Sequence, residues 1–368
     1  MRKILIFSFA YYPHVGGAEV AVKEITDRIQ DIEFHMVTMR FSHAEKREEK
    51  IGNVLVYRIS CGGTGRIGKF IFQFLAAQKA SALHKKNNYD ATWALMAHSA
   101  GVPAALFKLS HKNVPMLLTL QEGDPPKQIE RTMLPLWPLF ARAFTYADRV
   151  QAISNFLGEW ARSRNFKGPL VIIPNGADIE KFSGNSTHHQ GKILITTSRL
   201  VRKNAIDDVI RALPLLSDIK FKIVGSGPEE QSLKNLAKKE GVENRVEFVG
   251  HVDHAQLPAL LHAADIFIRP SRSEGMGNAF VEAMAAGIPI IGTNVGGIPD
   301  FLKDGETGFV VEVNNPKSIA EAVERILQNP NETAVITHKA RELSKQYDWG
   351  MLAQRMKTEA FEPLWQKQ

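Results

Sequence analysis

The feature that most constrains this 368-residue chain is an opening that occurs twice. RKILIFSF at 2–9 and GKILITTS at 191–198 are short aliphatic runs without polar alternation, the pattern of a strand buried on both faces. After each opening, similar runs alternate with longer stretches of helical periodicity, which predicts parallel sheets built from βαβ units. Strands are expected at 3–9, 34–39, 54–59, 91–96, 116–120 and 149–153, and again at 192–197, 220–224, 245–249, 265–268, 289–293 and 309–313. The length also exceeds what one hydrophobic core usually organises. The fold class is therefore α/β, with two Rossmann-like, doubly wound domains.

Between the two series lies NGADIEKFSGNSTHHQG at 175–191, whose Gly, Asn, Ser and His and weak apolar periodicity suit a linker with a hinge near it. The expected domains are 1–180 and 181–346. In residues 347–368, Trp349, Leu352, Met356, Ala360 and Leu364 recur at helical spacing, so an amphipathic helix closes the chain and returns to the first domain.

The single cysteine, Cys61, excludes an intramolecular disulfide framework and any multi-cysteine metal site. It reads as a buried, inert thiol. The apolar run after Arg2 and Lys3 lacks a secretory cleavage pattern and reads as a first strand. No stretch reaches the roughly 20 apolar residues of a spanning helix, so the expected location is cytoplasmic, with any membrane contact peripheral. The formal charge of +7 is uneven: residues 1–175 hold 23 Lys and Arg against 14 Asp and Glu, the remainder 23 against 25. A basic first half suits phosphorylated ligands or anionic lipid, and equally a solvated lysine surface. No nucleic-acid motif accompanies the charge. A clean G-x-G-x-x-G does not follow the first strand, which argues against a nicotinamide enzyme.

The clearest chemical pattern runs from Pro270 to Glu282, PSRSEGMGNAFVE. After an apolar strand, Gly275 and Gly277 let the backbone pass close to a ligand, and a helix starting near Asn278 offers amides suited to phosphate, with Met276 between the glycines. Glu274 in the loop and Glu282 in the helix can both accept from the hydroxyls of one polar ligand. Taken alone, the same pair serves as a cap and a surface charge.

This pattern resembles the paired-glutamate motif of retaining glycosyltransferase family 4, within the GT-B fold. The resemblance extends along nearly the whole chain through PHVGGAEVAV at 13–22, VIIPNGADIEKF at 171–182, SRLVRKN at 198–204, IVGSGPEEQSLKNLA at 223–237, VEFVGHV at 246–252 and EGMGNAFVEAMAAGIPII at 274–291. It implies two domains facing each other across a cleft, and transfer of a hexosyl group from a nucleotide diphosphate sugar with retention of configuration. Glu274 is then placed on the donor sugar, Glu282 on the ribose, and Arg199 and Lys203 on the diphosphate. Gly16 and Gly17 offer amides to the same diphosphate, and His98 resembles the histidine that approaches the sugar. Fixed cations and amides stabilise the departing phosphate without a metal or other cofactor. Glu19 is given no chemistry. Asn204 replaces a frequent glycine, which puts the local turn in question, and Gln121 stands where a histidine is common, which puts acceptor handling in question.

The implied acceptor is a glycan, glycolipid or other cell-envelope molecule. In 65–86, Phe70, Ile71, Phe74 and Leu75 accompany Lys69, Lys79, Lys85 and Lys86, and 132–144 is a second apolar segment broken by prolines. Such segments suit an anionic membrane surface or ordinary packing. Two other readings fit the same motifs: a nucleotide-sugar epimerase or hydrolase of this fold, and a non-catalytic nucleotide-sugar binding protein.

Overall fold

In a computed structural model of the protein, residues 1–63, 65–184 and 192–366 are described. The chain divides into two units, one of residues 1–175 with 349–368, the other of residues 176–348. The divisions fall a few residues from those expected. Residues 176–184 belong to the second unit, where the Ala177 amide donates to the Tyr347 carbonyl at 2.9 Å. The remainder of the expected linker, 185–191, lies outside the described residues.

The first unit contains strands β1 (Arg2–Phe7), β2 (Ile32–Met39), β3 (Glu48–Ile51), β4 (Val54–Ile59), β5 (Ala91–Leu95), β6 (Met116–Leu120), β7 (Arg149–Ala152) and β8 (Leu170–Ile172). Its helices are α1 (Gly17–Arg28), α2 (Arg66–Asn87), α3 (Val102–Ser110), α4 (Pro126–Met133), α5 (Trp137–Thr145) and α6 (Asn155–Ser163). The eight strands form one sheet in the order β3-β4-β2-β1-β5-β6-β7-β8, parallel except for β3. The six expected strands are present. The two unexpected ones are short edges: β3 reads EEKI, a charged strand that discourages further pairing, and β8 has three residues.

The second unit holds β9 (Lys192–Thr197), β10 (Ile219–Val224), β11 (Val246–Gly250), β12 (Ile266–Arg269), β13 (Ile290–Thr293) and β14 (Phe309–Val311). Its helices are α7 (Ile179–Phe182), α8 (Ile206–Ala212), α9 (Glu230–Lys239), α10 (Leu257–His262), α11 (Asn278–Ala286), α12 (Pro316–Gln328) and α13 (Pro330–Ser344). All strand pairs are parallel, in the order β11-β10-β9-β12-β13-β14. Numbered from its own first strand, this is the doubly wound order 3-2-1-4-5-6, and the first unit follows it with additional edge strands. In such a sheet, ligands bind beyond the strand C-termini where the order reverses. Here the reversals lie between β1 and β5 and between β9 and β12.

Each sheet is buried because its strands carry apolar side chains on both faces. Ile4, Leu5, Ile6 and Phe7 of β1 are fully buried, as are Phe267 and Ile268 of β12. The closing segment completes the first core. Trp349, Leu352, Met356 and Ala360 are buried, and Phe361 packs its ring 5.0 Å from that of Trp93 and 6.0 Å from that of Phe34. The helix is α-helical to Arg355 and widens into a π-helical turn at Met356–Phe361, which turns Phe361 into the core. Burying a ring of this size contributes about 1.5–3 kcal/mol, so the closing segment is part of the first unit's stability. Cys61 is buried and burial pushes its thiol up, which leaves it a poor nucleophile.

Candidate functional site

The residues singled out in the sequence gather at the two points of strand reversal. In the second unit, the chain leaves β12 through Pro270 and buried Ser271, turns at Gly277 and enters α11. Gly277 has φ +96°, and a Cβ there would stand 2.9 Å from the Phe280 ring and 3.3 Å from Cγ of Glu274, so glycine alone fits without displacing Glu274. No side chain caps α11, which leaves its first turn electropositive. Met276 is buried beneath the turn.

Glu274 is fixed on both carboxylate oxygens. Oε1 accepts the Gly275 amide at 3.1 Å, and Oε2 meets Nη2 of Arg269. Arg269 is itself buried at the end of β12, with its guanidinium over the Phe280 ring. Burial lowers its pKa to about 10 against the pull of Glu282, so it stays protonated at neutral pH. Glu282, on α11, pairs with Nε2 of His254 at 3.0 Å, and Nδ1 of His254 lies 3.3 Å from Nζ of Lys181. Gly297 donates its amide to the Glu274 carbonyl at 3.2 Å, and a Cβ on Gly296 (φ +57°) would fall 1.8 Å from that carbonyl oxygen.

The basic loop after β9 is bound to this turn through Arg272. Its amide donates to the Lys203 carbonyl at 2.7 Å, and its guanidinium reaches the Arg202 carbonyl, both oxygens of Asp207, and Asp208 at 2.7–3.0 Å. Burial works to raise the Asp207 carboxyl, but hydrogen bonds from Arg272 and Arg211 prevail and hold it below its ordinary value. Asp208, buried beside Asp207, is pushed up. Arg199 is exposed and Lys203 half-buried on the same loop. The questioned turn at Asn204 closes without glycine, because its Nδ2 donates to the Arg199 carbonyl at 2.7 Å and the left-handed conformation falls on Ala205, φ +54°. Four buried polar atoms at this strand end, Thr196 Oγ1, Thr197 Oγ1, Ser198 Oγ and Asn204 Oδ1, have no hydrogen-bond partner among the described residues. Buried polar groups are rarely left so, and water or a polar ligand at this strand end would satisfy them.

In the first unit, Gly16 precedes α1 and Gly17 begins it, both exposed after β1. The Gly16 amide is already taken by the Glu19 carboxylate at 2.8 Å, which makes Glu19 the cap of this helix end. Gly17 has open space around its missing Cβ. His98 lies in a π-helical turn, Ala97–Gly101, after β5, the strand next to β1. Its Nδ1 is 3.5 Å from Oε1 of buried Glu122, whose two oxygens accept the Ala97 and Gln121 amides at 2.6 and 2.9 Å. Gln121 accepts from Nδ2 of Asn175 at 3.3 Å. A buried carboxylate thus stands behind the half-exposed imidazole. Among the described residues, no three His, Cys, Asp or Glu side chains cluster as a metal site would need.

Two family models match consecutive parts of the chain, one described as Glycosyltransferase Family 4 over residues 15–181, the other as Glycosyl transferases group 1 over residues 178–343. The chain belongs to the GT-B glycosyltransferases of the family 4 type. A full-length relative of this glycosyltransferase, an uncharacterised glycosyltransferase of Methanocaldococcus jannaschii, is 27% identical over 95% of either chain. The GDP-mannose-dependent alpha-(1-6)-phosphatidylinositol monomannoside mannosyltransferase of Mycobacterium tuberculosis is 30% identical over 55% of this chain and 60% of its own length. Among solved structures, sucrose-phosphate synthase from Thermosynechococcus elongatus has the same fold, with a TM-score of 0.85 at 21% identity over 98% of both chains.

Arg269, Arg272, His254, Glu122 and the Gly296-Gly297 pair were not singled out by sequence reasoning. Arg272 carried a signal, a basic residue inside PSRSEG, but its partners Asp207 and Asp208 are 65 and 64 positions away. Arg272→Met in the glycosyltransferase should cost about 2–3 kcal/mol in urea unfolding, because two adjacent carboxylates lose their bidentate cation. Arg272→Lys should recover only part of it.

Proposed function

We propose that this glycosyltransferase is a metal-independent, retaining hexosyltransferase that takes its sugar from a UDP- or GDP-sugar and delivers it to a glycan, glycolipid or other cell-envelope acceptor. The observation that carries the reading is the coupling of two loops at one strand reversal: the Glu274–Glu282 turn and the Arg199–Lys203 loop are tied together by Arg272. Carboxylates that accept from hydroxyls sit beside cations and an uncapped helix end that favour phosphate, which is the chemistry of a nucleotide diphosphate sugar. The donor named for the mycobacterial relative, GDP-mannose, supports the same class. Arg199 and Lys203 supply the fixed positive charge that the departing diphosphate needs, the work a metal performs elsewhere.

Glu274 and Glu282 act as binding groups in this reading, not as the opposed acid and nucleophile of a glycosidase. Each is already engaged by a side chain of the protein, Glu274 by the Arg269 guanidinium and Glu282 by a ring nitrogen of His254. Retention then follows from attack on the face from which the diphosphate leaves, with that phosphate taking the acceptor proton. His98, backed by Glu122, is suited to bind a sugar hydroxyl.

The experiment is a metal-free thermal-shift screen against UDP-, GDP- and ADP-sugars, followed by donor turnover with and without acceptor. Stabilisation by one nucleotide class, weakened about tenfold in Glu282→Ala, is the expected result. Release of diphosphonucleotide that needs no acceptor would instead identify a hydrolase or epimerase, and no response to any donor would remove the reading. Proton NMR of the first product should show the anomeric configuration of the donor.

A further inference from the structure

The contact on Glu282 continues past its first partner. Oε1 of Glu282 meets Nε2 of His254 at 3.0 Å, and Nδ1 of the same ring lies 3.3 Å from Nζ of Lys181. Lys181 stands on α7, His254 on the loop after β11 and Glu282 in α11, so the ring ties together parts of the second unit that are far apart in the chain. Fully buried Phe182 of α7 holds it on a further side, with ring centroids 5.4 Å apart and an interplanar angle of 73°. An imidazole whose side chain is 53% exposed is thus fixed in both place and direction.

The same contacts fix its proton. A lysine ammonium donates and has no lone pair with which to accept, so Nδ1 is the accepting nitrogen. In the neutral ring the proton is then on Nε2, from which it is donated to Glu282. The Glu282 side chain is only 12% exposed. With Oε1 held, Oε2 is the oxygen that remains for a ligand hydroxyl, since no described residue hydrogen-bonds to it. A carboxylate already held in one rotamer loses less conformational freedom on binding than a free one.

We propose that His254 is a positioning residue for the donor: with its tautomer set by Lys181, it holds Glu282 in the rotamer that accepts ribose hydroxyls, and the preference for a ribonucleotide donor follows from it. The inference rests on the donor reading above, in which Glu282 meets the ribose. His254 and Lys181 act through Glu282 and touch no ligand themselves.

Calorimetric titration of the full chain with UDP and GDP, each beside its 2′,3′-dideoxy analogue, tests it. The nucleotide that binds should be preferred about tenfold over its dideoxy form, as expected for one charge-assisted hydrogen bond. His254→Ala and His254→Phe should cut that preference to about threefold or less, with little change in affinity for the dideoxy form. Because His254→Phe keeps an aromatic ring against Phe182, a loss there belongs to the ring nitrogens and not to packing. His254→Gln, whose amide donates from near the position of Nε2, should restore the preference, and Lys181→Met, which frees the tautomer, should lower it by a smaller amount. Equal binding of the two forms by the unsubstituted protein, or an unchanged preference in His254→Ala, would overturn the proposal. So would tighter nucleotide binding in His254→Ala, because His254 would then compete with the ribose for Glu282. A preference lost in Glu282→Ala but kept in His254→Ala and His254→Phe removes this inference alone, whereas failure of the unsubstituted protein to bind either nucleotide removes the donor reading and this inference with it.

Discussion

Lys203→Ala should lower kcat by about 10²–10³-fold, the cost of removing one preorganised group that stabilises developing charge. In the proposed reaction that charge forms on the diphosphate as the glycosidic bond breaks, so the lysine should contribute more in the transition state than in the donor complex. The fall should therefore appear mainly in kcat, with a smaller change in donor KM. The fold should hold, because the turn is kept by backbone contacts: the Lys203 carbonyl accepts from Arg272, and Asn204 closes onto Arg199. Arg199→Ala should behave similarly. The double variant should lose less than the product of the two, since in the proposed reaction both cations serve one anion. Steady-state kinetics with the donor found by thermal shift is the measurement. A loss confined to KM would assign Lys203 to ground-state binding only.

Arg269→Met should cost about 3–5 kcal/mol in unfolding free energy, as removal of one partner from a buried ion pair does. The side chains of Arg269 and Glu274 are each only 11% exposed, and Glu274 would be left ionised without its cation. Glu274→Gln alone should reduce turnover strongly, because an amide cannot replace a carboxylate held by a guanidinium. The double substitution Arg269→Met/Glu274→Gln removes both charges and should recover much of the stability without recovering activity. Urea unfolding of the four proteins in a double-mutant cycle gives the coupling directly. A coupling near zero would mean that Arg269 packs against Phe280 and does not orient Glu274.

What the sequence determined is the local part of the molecule. Apolar runs of strand length with helical stretches between them gave twelve strand positions, because a strand buried on both faces must be apolar throughout. The two strands it did not give are a charged edge and a three-residue edge, neither of which has that requirement. Glu274, Gly277 and Glu282 were legible because turn, helix start and carboxylates are consecutive in the chain. Gly16 and Gly17 were legible as the start of a helix, and His98 as lying just beyond a strand.

Tertiary structure decided which of these residues are held, and by what. Arg272 joins the basic loop to the glycine turn through Asp207 and Asp208, and Gly296 admits the Glu274 carbonyl from a different loop. Glu122 stands behind His98 only because β5 and β6 are neighbours. The closing segment showed its helical spacing in sequence, but its partners, Phe34 and Trp93, come from strands more than 250 residues earlier. Hydrogen bonds and ion pairs between distant residues leave no periodic trace, because any residue of suitable charge at the right place in space satisfies them. Periodicity records only which side of an element is buried.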